Sequence, residues 1–118
     1  MHKLCFVSPP EHFEQTLGTL PNGVELRAAS DEHLNIVLVF ATRVQELDSL
    51  VPRLLSHISI DGGLWICWPK RASKLPTDLS DPIVRNFGLA TGWVDVKVCA
   101  IDERWSALKF VRRLKDRV

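Results

Sequence analysis

The sequence predicts a three-layer α/β domain, with a mostly parallel sheet of about six strands closed by a C-terminal antiparallel hairpin. Three observations predict it. NIVLVFA (35–41) and LWICW (64–68) are apolar on both pleat faces, as expected of central parallel strands covered by helices on each side. Each is followed by a helix signal, which gives the strand-helix alternation of an α/β sheet. VDVKVCAI (94–101) and ALKFVRR (107–113) flank the tight segment DERWS and read as a hairpin.

KLCFVS (3–8) is a first short strand, and SPPEHFEQTL follows it with Ser8 and Glu11 at capping-box spacing and Pro9 at the first helical position. Phe13 and Leu17 share one face of that helix, which should stop near Gly18, before the turn Pro21-Asn22-Gly23. VELRAA (24–29) reads as a second strand near an edge. After the central run NIVLVFA, Thr42 and Gln45 repeat the capping pattern. Val44, Leu47, Val51, Leu54, Leu55 and Ile58 then form one helical stripe, with a kink or a break into two short helices expected at Pro52. Asp61-Gly62-Gly63 should turn the chain into LWICW. Asp81 and Pro82 start a further helix that Gly88 and Gly92 suit for termination. The tail LKDRV is polar and should fray. One tension stands out: SDEHL (30–34) must link two strands, whereas a parallel crossover takes about a dozen residues or more.

At 118 residues the chain fits a single domain, and its 46% hydrophobic and 25% charged residues are ordinary globular values. No apolar run approaches the roughly 18 residues that span a bilayer, and MHKLCFVSPP has no signal-peptide core, so a cytoplasmic location is expected. Cys5, Cys67 and Cys99 each lie in an apolar run and read as reduced core thiols. The four histidines show neither HExxH nor a CxxC partner, so no metal is expected and no cofactor is assigned. Residues 1–68 carry four Lys/Arg against eight Asp/Glu, and residues 69–118 carry eleven against six. That asymmetry attracts anionic ligands, or it is a solvated surface of mixed sign.

WPK-x-AS-x-x-PTDL (68–79) and GWVDVKVCAIDERWSALKFVRR (92–113) resemble small bacterial proteins of unknown function, those of domain-of-unknown-function family 3052. The resemblance covers most of the chain, is densest after residue 62, and implies a fold without an activity. The second half is also similar to the distal half of class I methyltransferases, in which two strand-helix units precede a closing antiparallel hairpin. Both imply a Rossmann-like sheet. In the methyltransferases a glycine-rich turn after the first strand binds the nucleoside cofactor; here that turn is Ser8-Pro9-Pro10-Glu11, without glycine.

Ligands of open parallel sheets bind beyond the carboxyl ends of the strands. Three segments should meet there: Ser8–Glu11, Trp68–Asp78, and, with the penultimate strand parallel to LWICW as the resemblance implies, Asp102–Ser106. Lys70, Arg71, Ser73, Lys74 and Thr77 could hold a phosphate or carboxylate, with Asp78 and Ser106 on the same edge and Trp105 as a flat wall. Asp102 and Glu103 offer acid/base carboxylates, but neighbouring acids in a hairpin are also ordinary turn formers. Asp95 and Lys97 should share a pleat face. Ser8 and His12 have nucleophile-base spacing without the elbow a hydrolase needs. Arg112, Arg113, Lys115 and Arg117 form a basic end without aromatic residues between them, a poor nucleic-acid surface. The expectation is a non-catalytic binding or interaction module for an anionic small molecule, with a degenerate or unusual transferase as the alternative. A homodimer through the exposed hairpin strand is a further possibility, and no membrane partner is expected.

Overall fold

The computed structural model describes residues 2–11, 13 and 22–116. Six strands form one sheet: β1 (His2–Val7), β2 (Val24–Leu26), β3 (Leu34–Phe40), β4 (Ile58–Pro69), β5 (Trp93–Ala100) and β6 (Trp105–Arg112), in the order β2-β1-β3-β4-β6-β5. Helices α1 (Val44–Leu55) and α2 (Asp81–Ala90) are the two α-helices delimited among the described residues. The first helix expected after Ser8, with Leu17 and its stop at Gly18, lies outside them.

The sheet is mixed, which corrects the mostly parallel three-layer Rossmann-like arrangement expected from the sequence. β2, β1, β3 and β4 pair in parallel, but β4–β6 and β6–β5 are antiparallel. Both described helices pack into one core cluster, Leu47, Val51 and Leu54 of α1 with Val84 of α2, against Val37, Val39, Ile66, Leu108 and Phe110. They cover a single face. On the other face Phe13 meets Phe6 and Phe40 edge to face, and Phe40 meets Trp105 in the same way, with centroids 4.7–5.2 Å apart. Apolarity on both sides of β3 and β4 therefore feeds an aromatic cluster on that face rather than a described helix layer.

β3 and β4 lie side by side and parallel, Val37 opposite Leu64 and Phe40 opposite Cys67. The short link after β2 is feasible because β2 has only three residues. Leu26 ends level with Leu4, and the chain needs only a brief return past β1 before Leu34. Asp61-Gly62-Gly63 is not a turn. It lies inside the twelve-residue strand β4, where the register with β3 jumps from Leu34↔Ile58 to Ile36↔Gly63. A Cβ on Gly62 would sit 2.7 Å from Ile58 Cγ2 and 2.9 Å from the Leu34 and Asn35 carbonyl oxygens, so the irregularity needs glycine.

α1 runs unbroken through Pro52 in place of two short helices. The loss is one bond, the N–H that would have met the Asp48 carbonyl, and the helix continues to Leu55 past it. Ile58 belongs to β4 rather than to the helical stripe. A bulge between Asp95 and Lys97 sets them opposite Phe110 and Lys109, neighbours that point to opposite faces, so the two do not share a pleat face. Asp95 pairs instead with Arg85 of α2, which also bonds Asp81 at 2.9 Å. Arg112 points inward and donates to the carbonyl oxygens of Leu55, Ile58 and Ser59 while lying over Trp93, 4.8 Å from its centroid. One cation of the basic C-terminal end is thereby spent on the end of α1. No helix among the described residues is long and apolar enough to cross a membrane.

Candidate functional site

β1, β3 and β4 end at a common edge, and the three segments expected there do meet. Ala41 N donates to the Cys67 carbonyl (3.0 Å), holding the exits of β3 and β4 together. The loop after β4 returns to this point, where Asp78 N (3.2 Å) and Thr77 Oγ1 (2.6 Å) both donate to the Thr42 carbonyl. Lys70 N donates to the Arg104 carbonyl (2.7 Å), which ties that loop to the β5–β6 turn. Pro10 and Glu11 after β1 share a cleft of about 260 Å³ with Phe13, Asp102, Glu103, Arg104 and Trp105.

Several expected site residues turn out to be fold ties. Ser73 Oγ donates to the Lys70 carbonyl at 2.6 Å and accepts from Leu75 N, closing the short 3-10 turn Arg71–Ser73. Thr77 Oγ1 also accepts from Leu79 N at 3.0 Å. Asp78 Oδ1 accepts from Val44 N at 2.8 Å, so an acid more than thirty residues away in sequence caps the start of α1. Asp102 Oδ1 accepts from the N–H groups of Arg104 (2.8 Å) and Trp105 (2.9 Å), shaping the hairpin turn. Trp105 is 7% exposed and stands against Phe40, so it offers the cleft a wall and no free stacking face. Ser106 is half-buried in β6 between Trp68 and Ala100.

The remaining residues are cations. Lys70 is half-buried, and Arg71 and Lys74 are exposed. Lys74 ends the turn with φ 60°, the left-handed conformation. Among the described residues the side chains of these three make no hydrogen bond or ion pair. They stand on the turn adjoining the cleft and do not line it. Pro10, Glu11 and the exposed Arg104 belong to segments the sequence already places at this edge, though with no role assigned to them; Phe13, expected only as a helix-face residue, is the wall that sequence reasoning missed.

A second, more open hollow of about 420 Å³ lies on the helix side, lined by Ser8, Arg43, Gln45, Glu46, Ser49 and Leu50. Here the start of α1 is already satisfied. Glu46 Oε1 accepts from Thr42 N (3.0 Å), Thr42 Oγ1 (2.9 Å) and Arg43 N (3.0 Å), which moves the expected cap by one residue from Gln45. The Thr42 N–H bond, ahead of opposing burial, holds the Glu46 carboxyl below its usual value, with the Thr42 hydroxyl and Arg43 adding to the effect. Ser8 takes the left-handed region at φ 54°, a turn made without glycine. His12 lies outside the described residues, and with it the Ser8–His12 pair. Burial pushes the Cys5 and Cys67 thiols up, so both stay protonated core groups. Among the described residues no cluster of His, Cys, Asp or Glu could hold a metal ion.

No family model and no curated protein matches the chain. Solved structures do. Over 95% of this chain the LepI complex with SAM is similar at TM-score 0.52 and 9% identity. A LepI variant in complex with SAH and a substrate analogue is similar at 0.54 and 8%, and the fibrillarin/Nop5p complex at 0.53 and 9%, each also over 95% of this chain. The fold is methyltransferase-like. At such identities the likeness is one of fold alone. The chain spans 36% of the LepI chain and 73% of the fibrillarin-complex chain. No match supports the resemblance to the domain-of-unknown-function family, which rests on the quoted segments.

Proposed function

We propose that this methyltransferase-like chain is a binding module that holds an anionic small molecule at the carboxyl edge of its sheet. The observation that carries the reading is the turn Lys70–Lys74. Its backbone is fixed by bonds to Arg104 and within the turn, and its three cations have no partner among the described residues. Fixed backbone with free cations is a preorganised anion site. The test is a thermal-shift titration with inorganic phosphate, citrate and nucleotides, which should raise the melting temperature by mass action. Lys70→Ala with Lys74→Ala should abolish the shift and leave the unliganded melting point in place; a shift that survives the double change overturns the reading.

A transferase using the same edge is the second reading, favoured by the likeness to LepI, whose solved complex holds SAM. The exit of β1 does not fit a nucleoside cofactor in the way the methyltransferase resemblance implies. Pro9 and Pro10 lack N–H donors, and Ser8 puts a side chain where glycine would let the backbone approach. The Glu46 and Asp78 carboxylates already take N–H groups at the start of α1. Including SAM and SAH in the titration separates the readings, since a shift with either one alone would favour the transferase.

A further inference from the structure

We infer that the ligand of this edge is dipolar, with an ammonium group seated in the cleft and an anionic group on the neighbouring basic turn. The inference rests on the anion-site reading and names its ligand class. The cleft has an apolar floor, Phe13 at 3% and Trp105 at 7% exposure, with Pro10 beside them. Among the described residues, Asp102 and Glu103 outweigh Arg104 in its lining even with Glu11 left out of the count, so this side of the cleft is negative and disfavours a small anion. Outside it, one backbone hydrogen bond away from Arg104, stand Lys70, Arg71 and Lys74.

Opposite fields on adjoining surfaces orient a molecule that carries both charges and favour it over one that carries either alone. Asp102 is committed to its turn, whereas Glu103 is exposed with no hydrogen bond or ion pair among the described residues, so Glu103 is the carboxylate free to meet an ammonium group. A cleft of about 260 Å³ has ample room for an aminoalkyl group of a few carbons. The ligand class is therefore a small aminoalkyl phosphate or amino acid, its alkyl stem on the Phe13 and Trp105 floor.

Phosphoethanolamine and ethyl phosphate match in size and differ in the ammonium group, and putrescine carries amines alone. Titrated into the full chain by calorimetry at low salt, phosphoethanolamine should bind about fivefold tighter than ethyl phosphate, the upper end of what one exposed ion pair supplies. Glu103→Gln should remove that difference by weakening phosphoethanolamine binding, with no loss of affinity for ethyl phosphate. Equal affinity of the two phosphates overturns the dipolar inference and leaves the anion site standing. Binding of putrescine alone, or of none of the three, overturns both.

Discussion

Gly88 sets how closely α2 lies on the sheet, and Gly88→Ala tests that packing. The residue is buried on the inner face of α2, one turn after Val84, against the fully buried ring of Phe110 in β6. A Cβ added there would lie 2.0 Å from Phe110 Cε1, 2.1 Å from Cζ and 2.5 Å from Cδ1. The ring must move by more than an ångström to restore ordinary contact, and Leu64 and Asp95, its cross-strand neighbours, hem it in. Overpacking of this kind costs about 1–3 kcal/mol and sometimes more. Alanine in place of glycine inside a helix returns about 1 kcal/mol. An approach of 2.0 Å to a fully buried ring puts the cost in the upper part of that range, about 2–3 kcal/mol, so packing wins and the net loss should be about 1–2 kcal/mol.

Urea denaturation followed by tryptophan fluorescence measures it, and for a domain of this size the melting temperature should fall by roughly 3–8 °C. Phe110→Leu should be costly alone yet should couple favourably with Gly88→Ala, because the added methyl then occupies vacated space. Gly92→Ala is the contrasting control: at φ +95° with nothing within 4 Å, its cost is backbone strain and should not couple to Phe110. A Gly88→Ala protein as stable as the parent would refute the close approach of α2 to β6.

Asp78→Ala should cost about 1 kcal/mol by uncapping α1, and amide exchange should rise at Val44 while the end of α2 is unaffected. Because the Glu46 carboxyl is held low in the folded state, its contribution is fully present above its unfolded value near 4.5 and is lost as pH falls through the folded value. Glu46→Gln should therefore be less stable than the parent at pH 7, and denaturation curves for the two should converge in acid. Arg112→Lys should lose about 2 kcal/mol in denaturant titration, since one ammonium cannot reach the Leu55, Ile58 and Ser59 carbonyls together and lie over Trp93. In the native protein an aromatic disulfide reagent should modify the half-exposed Cys99 and spare the buried Cys5 and Cys67, and all three should react in denaturant.

The adjacent parallel strands β3 and β4 were legible because an apolar run of that length, bounded by helix signals, has few other places to lie. The hairpin was legible from DERWS between two strand-like runs. What the residues did not reveal was which partner satisfies each apolar face. Phe40 and Trp105 look the same in sequence whether a helix covers them or they meet edge to face. Asp61-Gly62-Gly63 carries turn chemistry, yet the close carbonyls of Leu34 and Asn35 select its glycine within a strand. Pairings across long separations, such as Asp78 with Val44 and Arg112 with the end of α1, leave no local signature.

The same long-range ties bear on binding. Ser73, Thr77, Asp78 and Asp102 are residue types suited to hold an anion or move a proton, but each spends a side-chain oxygen on backbone N–H or carbonyl groups of the rim. Their bonds fix the backbone of the rim at these points before any ligand arrives. Lys70, Arg71, Lys74 and Glu103 then need to order only their own side chains, at about 0.5–1.5 kcal/mol each, rather than a whole loop. A mobile loop bearing the same cations would lose far more on ordering. On the proposed reading, the polar residues of this edge would matter to recognition through the rigidity they give it, while contact with the ligand would fall to the charged side chains left without partners among the described residues.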